Sequence, residues 1–436
     1  MNATCQPLER LTAARDADVN HNSVERREGR TKVRVLFTYA GGSGHAEPMV
    51  PVADALRSAG HTVAFTGAAR PLASLAARGF EALTLGQPAT EAVAMTESAT
   101  ELKPLVEPDQ DHEDDVIRRV YAGTATQRRV PLYAEMFKYW RPDLVVRDEV
   151  DFASAILAEA HDLPHAVVIV IGAGGFIRPD VVAEPLDAVR AQHGLPGDPE
   201  LAVLGRDLVL CPFPPRFRDP DYPLPETTQY FGPATAATPG AVPSWLAALD
   251  HRPTVYVTLG TVFPLESGDL FRRLLAGIAA LPVNVITTIG RELHPDALGR
   301  QPSNVRIEPW LAHDMVLPQA DLVVSHGGSG TVTAALAHGL PQIVVAMGAD
   351  QMLNARRVES LGVGRSLHPI TSTPETVRAA VEAVLNDAEM RAAAEAMKRE
   401  IDAMPSPAAA VPVLEDLAAR RRRRVDRVGG SRARRG

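Results

Sequence analysis

Residues Asp321 to Asn354 read DLVVSHGGSGTVTAALAHGLPQIVVAMGADQMLN. A short apolar run ends at Ser325, the glycine-rich turn His326-Gly327-Gly328-Ser329-Gly330-Thr331 follows, and a helix is predicted from there to His338. A second apolar run, Gln342 to Ala346, then reads as a strand. Strand, tight turn, helix and strand make the βαβ unit, and such units build parallel sheets covered by helices on both faces.

The same grammar recurs outward in both directions. Val33 to Tyr39 (VRVLFTY) reads as a first strand and leads into Gly41-Gly42-Ser43-Gly44-His45. Met49, Val52, Ala53 and Leu56 then fall on one helical face, Gly60 stops the helix, and Thr62 to Phe65 forms the next strand. Leu144 to Val146, a helix from Phe152 to His161 and a strand from Ala166 to Ile171 repeat the theme. From Cys211 to Pro243 the chain is proline-rich, which is expected to break both helix and strand. The pattern restarts with Thr254 to Leu259, Val283 to Thr288 and the neighbourhood of Val305, and after Thr373 only helices are indicated, Pro374 to Leu385 and Ala388 to Met404. The expected fold class is α/β: two doubly wound, Rossmann-like domains facing each other across a cleft lined by strand C-termini.

Composition narrows the function. The 436 residues are 45% apolar and 22% charged, the balance of a globular protein. The net charge of −8 conceals an Arg-rich end: from Arg420 onward nine Arg face one Asp, so the remainder carries −16. An acidic body argues against nucleic acid as a partner. The longest apolar stretch, Ala166 to Phe176, has 11 residues, against about 20 for a membrane span. No integral membrane contact is expected. Two cysteines, Cys5 and Cys211, cannot build a disulfide framework, and no signal peptide precedes the first strand, so a cytoplasmic location is expected.

The glycine turn after Ser325 is where chemistry enters. Glycines let backbone approach a ligand, and the open N–H groups of a helix start attract an anion, phosphate above all. Taken alone, the same glycines also fit a plain strand-to-helix turn. Neither glycine-rich turn has the lysine of a P-loop. The dinucleotide fingerprint fails because Thr333 stands where its third glycine belongs, and the nucleophile elbow fails because Thr331 follows Ser329 at the second position. The D-x-D spelling of metal-using transferases occurs three times, at Asp16, Asp109 and Asp219, none after a convincing strand. No metal is expected.

His326 to Thr331, Gly339-Leu340-Pro341 and Asp350-Gln351-xx-Asn354-Ala355 resemble the donor signature of the family 1, GT-B glycosyltransferases. Gly41-Gly42-Ser43-Gly44-His45-xx-Pro48 is similar to that family's acceptor-side loop, and the match covers Val33 to Met404. Actinobacterial enzymes that glycosylate macrolides and enediynes are closest in flavour. The resemblance implies that His45 is the general base, a task suited to a neutral imidazole, and that Asp148 holds its other nitrogen, although Glu149 and Asp151 stand beside it. It implies that His326 and the amides of Gly328, Ser329, Gly330 and Thr331 hold the donor diphosphate. Trp310 would stack on the nucleobase, where a core tryptophan is the plain alternative, and Asp350 and Gln351 would bind sugar hydroxyls. Many UDP-sugar enzymes of the family carry a glutamate for the ribose hydroxyls eight residues after the phosphate histidine; Ala334 stands there, which favours a dTDP-sugar over a UDP-sugar.

The expected activity is inverting transfer of a deoxysugar from a nucleotide diphosphate to a hydroxyl of a natural-product aglycone. The partners are therefore aglycone and nucleotide-sugar, with no further cofactor, and a homodimer is compatible with the sequence. A GT-B nucleotide-sugar epimerase and a non-catalytic auxiliary protein are the alternatives. The expected divisions are a disordered leader over 1–30, an acceptor domain over 31–230, a linker over 231–250, a donor domain over 251–405 and a C-terminal segment with the Arg-rich tail over 406–436.

Overall fold

The computed structural model describes residues 32–85, 102–233, 242–260 and 264–420. The leader, the tail beyond Arg420, Cys5 and the Asp16 D-x-D lie outside the described residues.

Two parallel sheets organise the chain. The first contains β1 (Arg34–Thr38), β2 (Thr62–Thr66), β3 (Glu81–Ala82), β4 (Leu144–Asp148), β5 (His165–Val168), β6 (Val209–Cys211) and β7 (Thr228–Tyr230), in the order β3-β2-β1-β4-β5-β6-β7. The second contains β8 (Thr254–Thr258), β9 (Asn284–Thr288), β10 (Val305–Glu308), β11 (Leu322–Ser325), β12 (Gln342–Val344) and β13 (Gly364–Ser366), in the order β10-β9-β8-β11-β12-β13. Every strand pair is parallel. The strand order reverses between β1 and β4 in the first sheet and between β8 and β11 in the second. Open α/β sheets bind ligands at these switch points, and both glycine-rich turns sit there.

Strand alternation decides which residues meet. Val35 and Phe37 enter one apolar layer with the helix Val50–Ser58, while Leu36, between them, enters the opposite layer with the helices Thr126–Trp140 and Phe152–Ala160. The second sheet divides likewise, with Val255 and Val257 on one face and Tyr256 on the other.

Three features depart from the sequence expectations. The proline-rich connector does hold a strand: prolines stop at Pro225, and the proline-free run that follows pairs β7 with β6 through Val209↔Thr228 to Cys211↔Tyr230. The strand expected through Ile171 ends at Val168, because the amides of Val170 and Ile171 turn away to donate to Glu149 Oε1, both at 2.6 Å. The chain's last described helix, 410–420, crosses back to the first sheet. There Val411, Leu414 and Leu417 pack with Val50 and Leu56, and Glu415 meets the buried His61 at 3.0 Å.

The two halves touch extensively. Ala173 and Phe217 of the first pack among Val332, Leu336, Val344 and Ile401 of the second. Segment 102–108 leaves the first unit to lie on the second, where Lys103 exchanges backbone hydrogen bonds with Leu265 (2.7 Å) and Gly268 (2.9 Å). Among the described residues no helix is long and apolar enough to cross a membrane.

Candidate functional site

β1 delivers His45 to the cleft through a single turn of helix, Ser43–Ala46. Its ring lies over Gly41, where an added Cβ would come within 2.1 Å of it. This position therefore needs glycine for space. At the neighbouring switch strand, Asp148 ends β4. Its Oδ2 accepts from His45 Nδ1 (2.8 Å) and from the Ala40 amide (3.0 Å), and its Oδ1 accepts from the Val150 amide (3.0 Å). Asp148 is fully buried, whereas the His45 side chain keeps 23% exposure. With Nδ1 committed to Asp148, Nε2 is the nitrogen left for a ligand. Tyr121 stacks beside the imidazole, ring centroids 6.4 Å apart.

The charges around His45 set its proton affinity. Burial lowers its pKa, but the hydrogen bond and charge of Asp148, with the charges of Asp350 and Glu149, outweigh that and raise it above 6.5. The three adjacent acids have separate tasks. Asp148 orients His45. Glu149 holds the Val170 and Ile171 amides, and its burial pushes its pKa up to about 7. Asp151 accepts from the Tyr133 hydroxyl at 2.7 Å and faces Arg129, which clamps the carbonyls of Tyr39 and Ala40.

Across the cleft, β11 ends at Ser325 and the helix Ser329–Ala337 begins. No side chain caps it: Gly328 is the N-cap with extended backbone. The Thr331 amide, expected among the phosphate donors, turns back to the Gly328 carbonyl at 2.9 Å, which leaves the amides of Gly328, Ser329 and Gly330 as the turn's candidate donors. The His326 ring is squeezed between two glycines, since a Cβ on Gly260 or on Gly328 would approach it to 2.6 Å. Burial, opposed by a hydrogen bond with Thr258, lowers its pKa to about 4. His326 is thus a neutral imidazole in a glycine cradle at the mouth of a helix, a donor set suited to a diphosphate.

Trp310 follows β10 and is 48% exposed, so the plain core alternative does not hold. The Arg291 guanidinium sits over its ring at 5.1 Å. Asp350 is half-buried, and its Oδ2 accepts from Ser329 Oγ (2.6 Å) and Asn354 Nδ2 (2.9 Å). Gln351 is only 2% exposed and its Oε1 accepts from the Met347 amide at 2.8 Å, so its amide nitrogen is left for a ligand. Ala334 lies on the same helix as Ser329. Sequence reading gave no task to Tyr121, Arg129 or the Asn354 side chain. Asn354 lies within the Asp350-Gln351-xx-Asn354 motif, but Tyr121 and Arg129 carry no local signal.

Among the described residues no group of three or more His, Cys, Asp or Glu is arranged to hold a metal ion. The two described D-x-D pairs serve the backbone: Asp109 caps the helix Gln110–Val116 by accepting from the Asp111 amide, and Asp219 accepts from the Asp221 amide.

Comparison with known proteins agrees with this geometry. The family described as "Erythromycin biosynthesis protein CIII-like" matches twice, its N-terminal domain over residues 54–260 and its C-terminal domain over 272–417. The L-demethylnoviosyl transferase of Streptomyces niveus is 34% identical over 399 residues, covering 89% of this chain and 99% of that relative. The tylactone mycaminosyltransferase of Streptomyces fradiae is 30% identical, covering 90% and 94%. The solved structure of the spinosyn rhamnosyltransferase SpnG complexed with thymidine diphosphate has a TM-score of 0.73 at 27% identity, covering 88% of this chain and 100% of its own. A cleft between two parallel sheets, a glycine-cradled histidine at a helix start and these matches agree: the chain belongs to the erythromycin biosynthesis protein CIII-like family and is a nucleotide-sugar-dependent glycosyltransferase of family 1 with the GT-B fold.

Proposed function

We propose that the enzyme moves a deoxysugar from a dTDP donor to a hydroxyl of a natural-product aglycone, with inversion at the anomeric carbon. The observation that carries the mechanism is the 2.8 Å contact between His45 Nδ1 and Asp148 Oδ2. It fixes Nδ1 as the protonated nitrogen and leaves Nε2 as a base directed at the cleft. The acceptor O–H gives its proton to Nε2, and the oxygen forms a bond to the anomeric carbon. The bond from that carbon to the diphosphate oxygen breaks, and dTDP departs with the electron pair. Asp148 stabilises the imidazolium that results.

On the donor side, the amides of Gly328, Ser329 and Gly330 with His326 would face the charge that grows on the leaving diphosphate, where preorganised donors lower the barrier most. Trp310 would support the base, and Asp350 and Gln351 the sugar. Support for dTDP comes from Ala334, which offers no carboxylate to a ribose 2′-hydroxyl, and from SpnG, which was solved with thymidine diphosphate. Support for a deoxysugar and an aglycone comes from the mycaminosyl and demethylnoviosyl transferases and from SpnG complexed with spinosyn aglycone. A donor panel tests the reading: dTDP-sugars should turn over well ahead of UDP-glucose, and the reverse order would remove the dTDP assignment.

A further inference from the structure

One polar cluster couples the two halves of the molecule to the sugar side of the site. Ser329 Oγ accepts from the Gly172 amide of the first unit (2.8 Å) and from Asn354 Nδ2 (3.0 Å), and donates to Asp350 Oδ2 (2.6 Å). Its single hydrogen and both lone pairs are thereby used. Asn354 is fully buried. Its Oδ1 accepts from the Ala173 amide at 3.2 Å, while one Nδ2 hydrogen goes to the Gly327 carbonyl (2.9 Å) and the other is shared between Asp350 Oδ2 (2.9 Å) and Ser329 Oγ. A flipped amide would set donor against the Ala173 N–H and acceptor against the Gly327 carbonyl, so the orientation is fixed by its partners.

We propose that Ser329 Oγ and Asn354 form an interdomain latch and are positioning residues for Asp350: they aim its carboxylate only when loop 172–173 of the opposite half is seated on them. This deepens the functional reading above, since it rests on Asp350 as a ligand of the donor sugar. Asp350 Oδ2 takes both latch donors, which leaves Oδ1 for a sugar hydroxyl. The two groups that fix Asp350 are fixed in turn by one amide each from the other half. Opening the cleft removes both amides, and Ser329 and Asn354 are then free to re-pair. The loop is itself anchored next to the base dyad, because Glu149, adjacent to Asp148, holds the Val170 and Ile171 amides. Closure therefore sets the sugar site and brings it to the base in one movement, the arrangement by which binding energy assembles a catalytic site.

The test uses the full-length enzyme with Ser329→Ala, Ser329→Thr and Asn354→Ala. Calorimetry reads binding of dTDP and of dTDP-glucose, and hydrogen exchange with dTDP-glucose bound reads the Gly172 and Ala173 amides. Asn354→Ala should bind dTDP within about twofold of wild type, and both alanine variants should bind dTDP-glucose roughly tenfold more weakly and exchange the two amides roughly tenfold faster. Ser329→Thr, which keeps the hydroxyl, should restore both. Equal weakening for dTDP and dTDP-glucose, or no weakening for either, overturns the latch. Wild type that binds neither nucleotide overturns the functional reading itself, and the latch with it.

Discussion

Asp148 and His45 are joined at 2.8 Å by an oxygen that also accepts the Ala40 amide, so the turn that carries the imidazole and the carboxylate that orients it are one rigid unit. His45→Ala should therefore cost roughly 10²–10⁴-fold in kcat while dTDP affinity stays unchanged, because the proposed nucleotide site is on the other half. Near-normal turnover would remove His45 from the mechanism.

The pH profile reports the same pair. In the proposed mechanism the reactive form is the neutral imidazole, and its pKa is raised, so kcat/KM should climb with pH through a value above 6.5. Asp148→Asn removes both the charge and the charged partner that raise it. The variant should show a lower kcat with the acid limb displaced to lower pH. An unmoved limb would mean another group sets it.

Gly41→Ala tests the packing that aims the base. A Cβ there would overlap the His45 ring, so the ring must swing out. Turnover should fall at least tenfold with the melting temperature changed by only a few degrees, measured by calorimetry beside steady-state rates.

Glu149 predicts a stability change with pH. Burial raises its pKa to about 7 from 4.5. Its stabilising contribution is therefore complete below pH 4.5 and lost as pH rises through about 7. Glu149→Gln retains an oxygen for the two amides and cannot ionise. Its melting temperature should gain on wild type steadily from pH 5 to 8; a constant difference across that range would contradict the assignment.

Trp310 is half-exposed and bears little of the fold. Trp310→Ala should weaken dTDP binding about 3–10-fold, the worth of one aromatic stack, and leave the unliganded melting temperature unmoved. EDTA should leave the transfer rate unchanged, as the donor assignment calls for no metal; a rate restored only by added Mg²⁺ or Mn²⁺ would contradict it.

What the sequence made legible was local. Alternating apolar runs located most of the strands, and the HGGSGT turn marked the helix start because glycine and helix-cap chemistry act over a few neighbouring residues. The β7 strand escaped because a proline-free run of a few residues is lost in its proline-rich surroundings. Asp148, Glu149 and Asp151 could not be ranked by pattern, since their tasks depend on partners in distant segments: His45, the 170–171 loop and Tyr133. The Gly172–Ser329 and Ala173–Asn354 contacts span 157 and 181 residues of chain. Only the seating of one sheet against the other creates them, and no periodicity encodes that.

The turn opening the helix Ser329–Ala337 is proposed to grip a nucleotide diphosphate opposite His45. A crystal structure of the enzyme soaked with dTDP tests it most directly. Phosphate density on the Gly328, Ser329 and Gly330 amides and the His326 ring, with thymine against Trp310, is the predicted result. Nucleotide bound elsewhere, with that turn unoccupied, would contradict it.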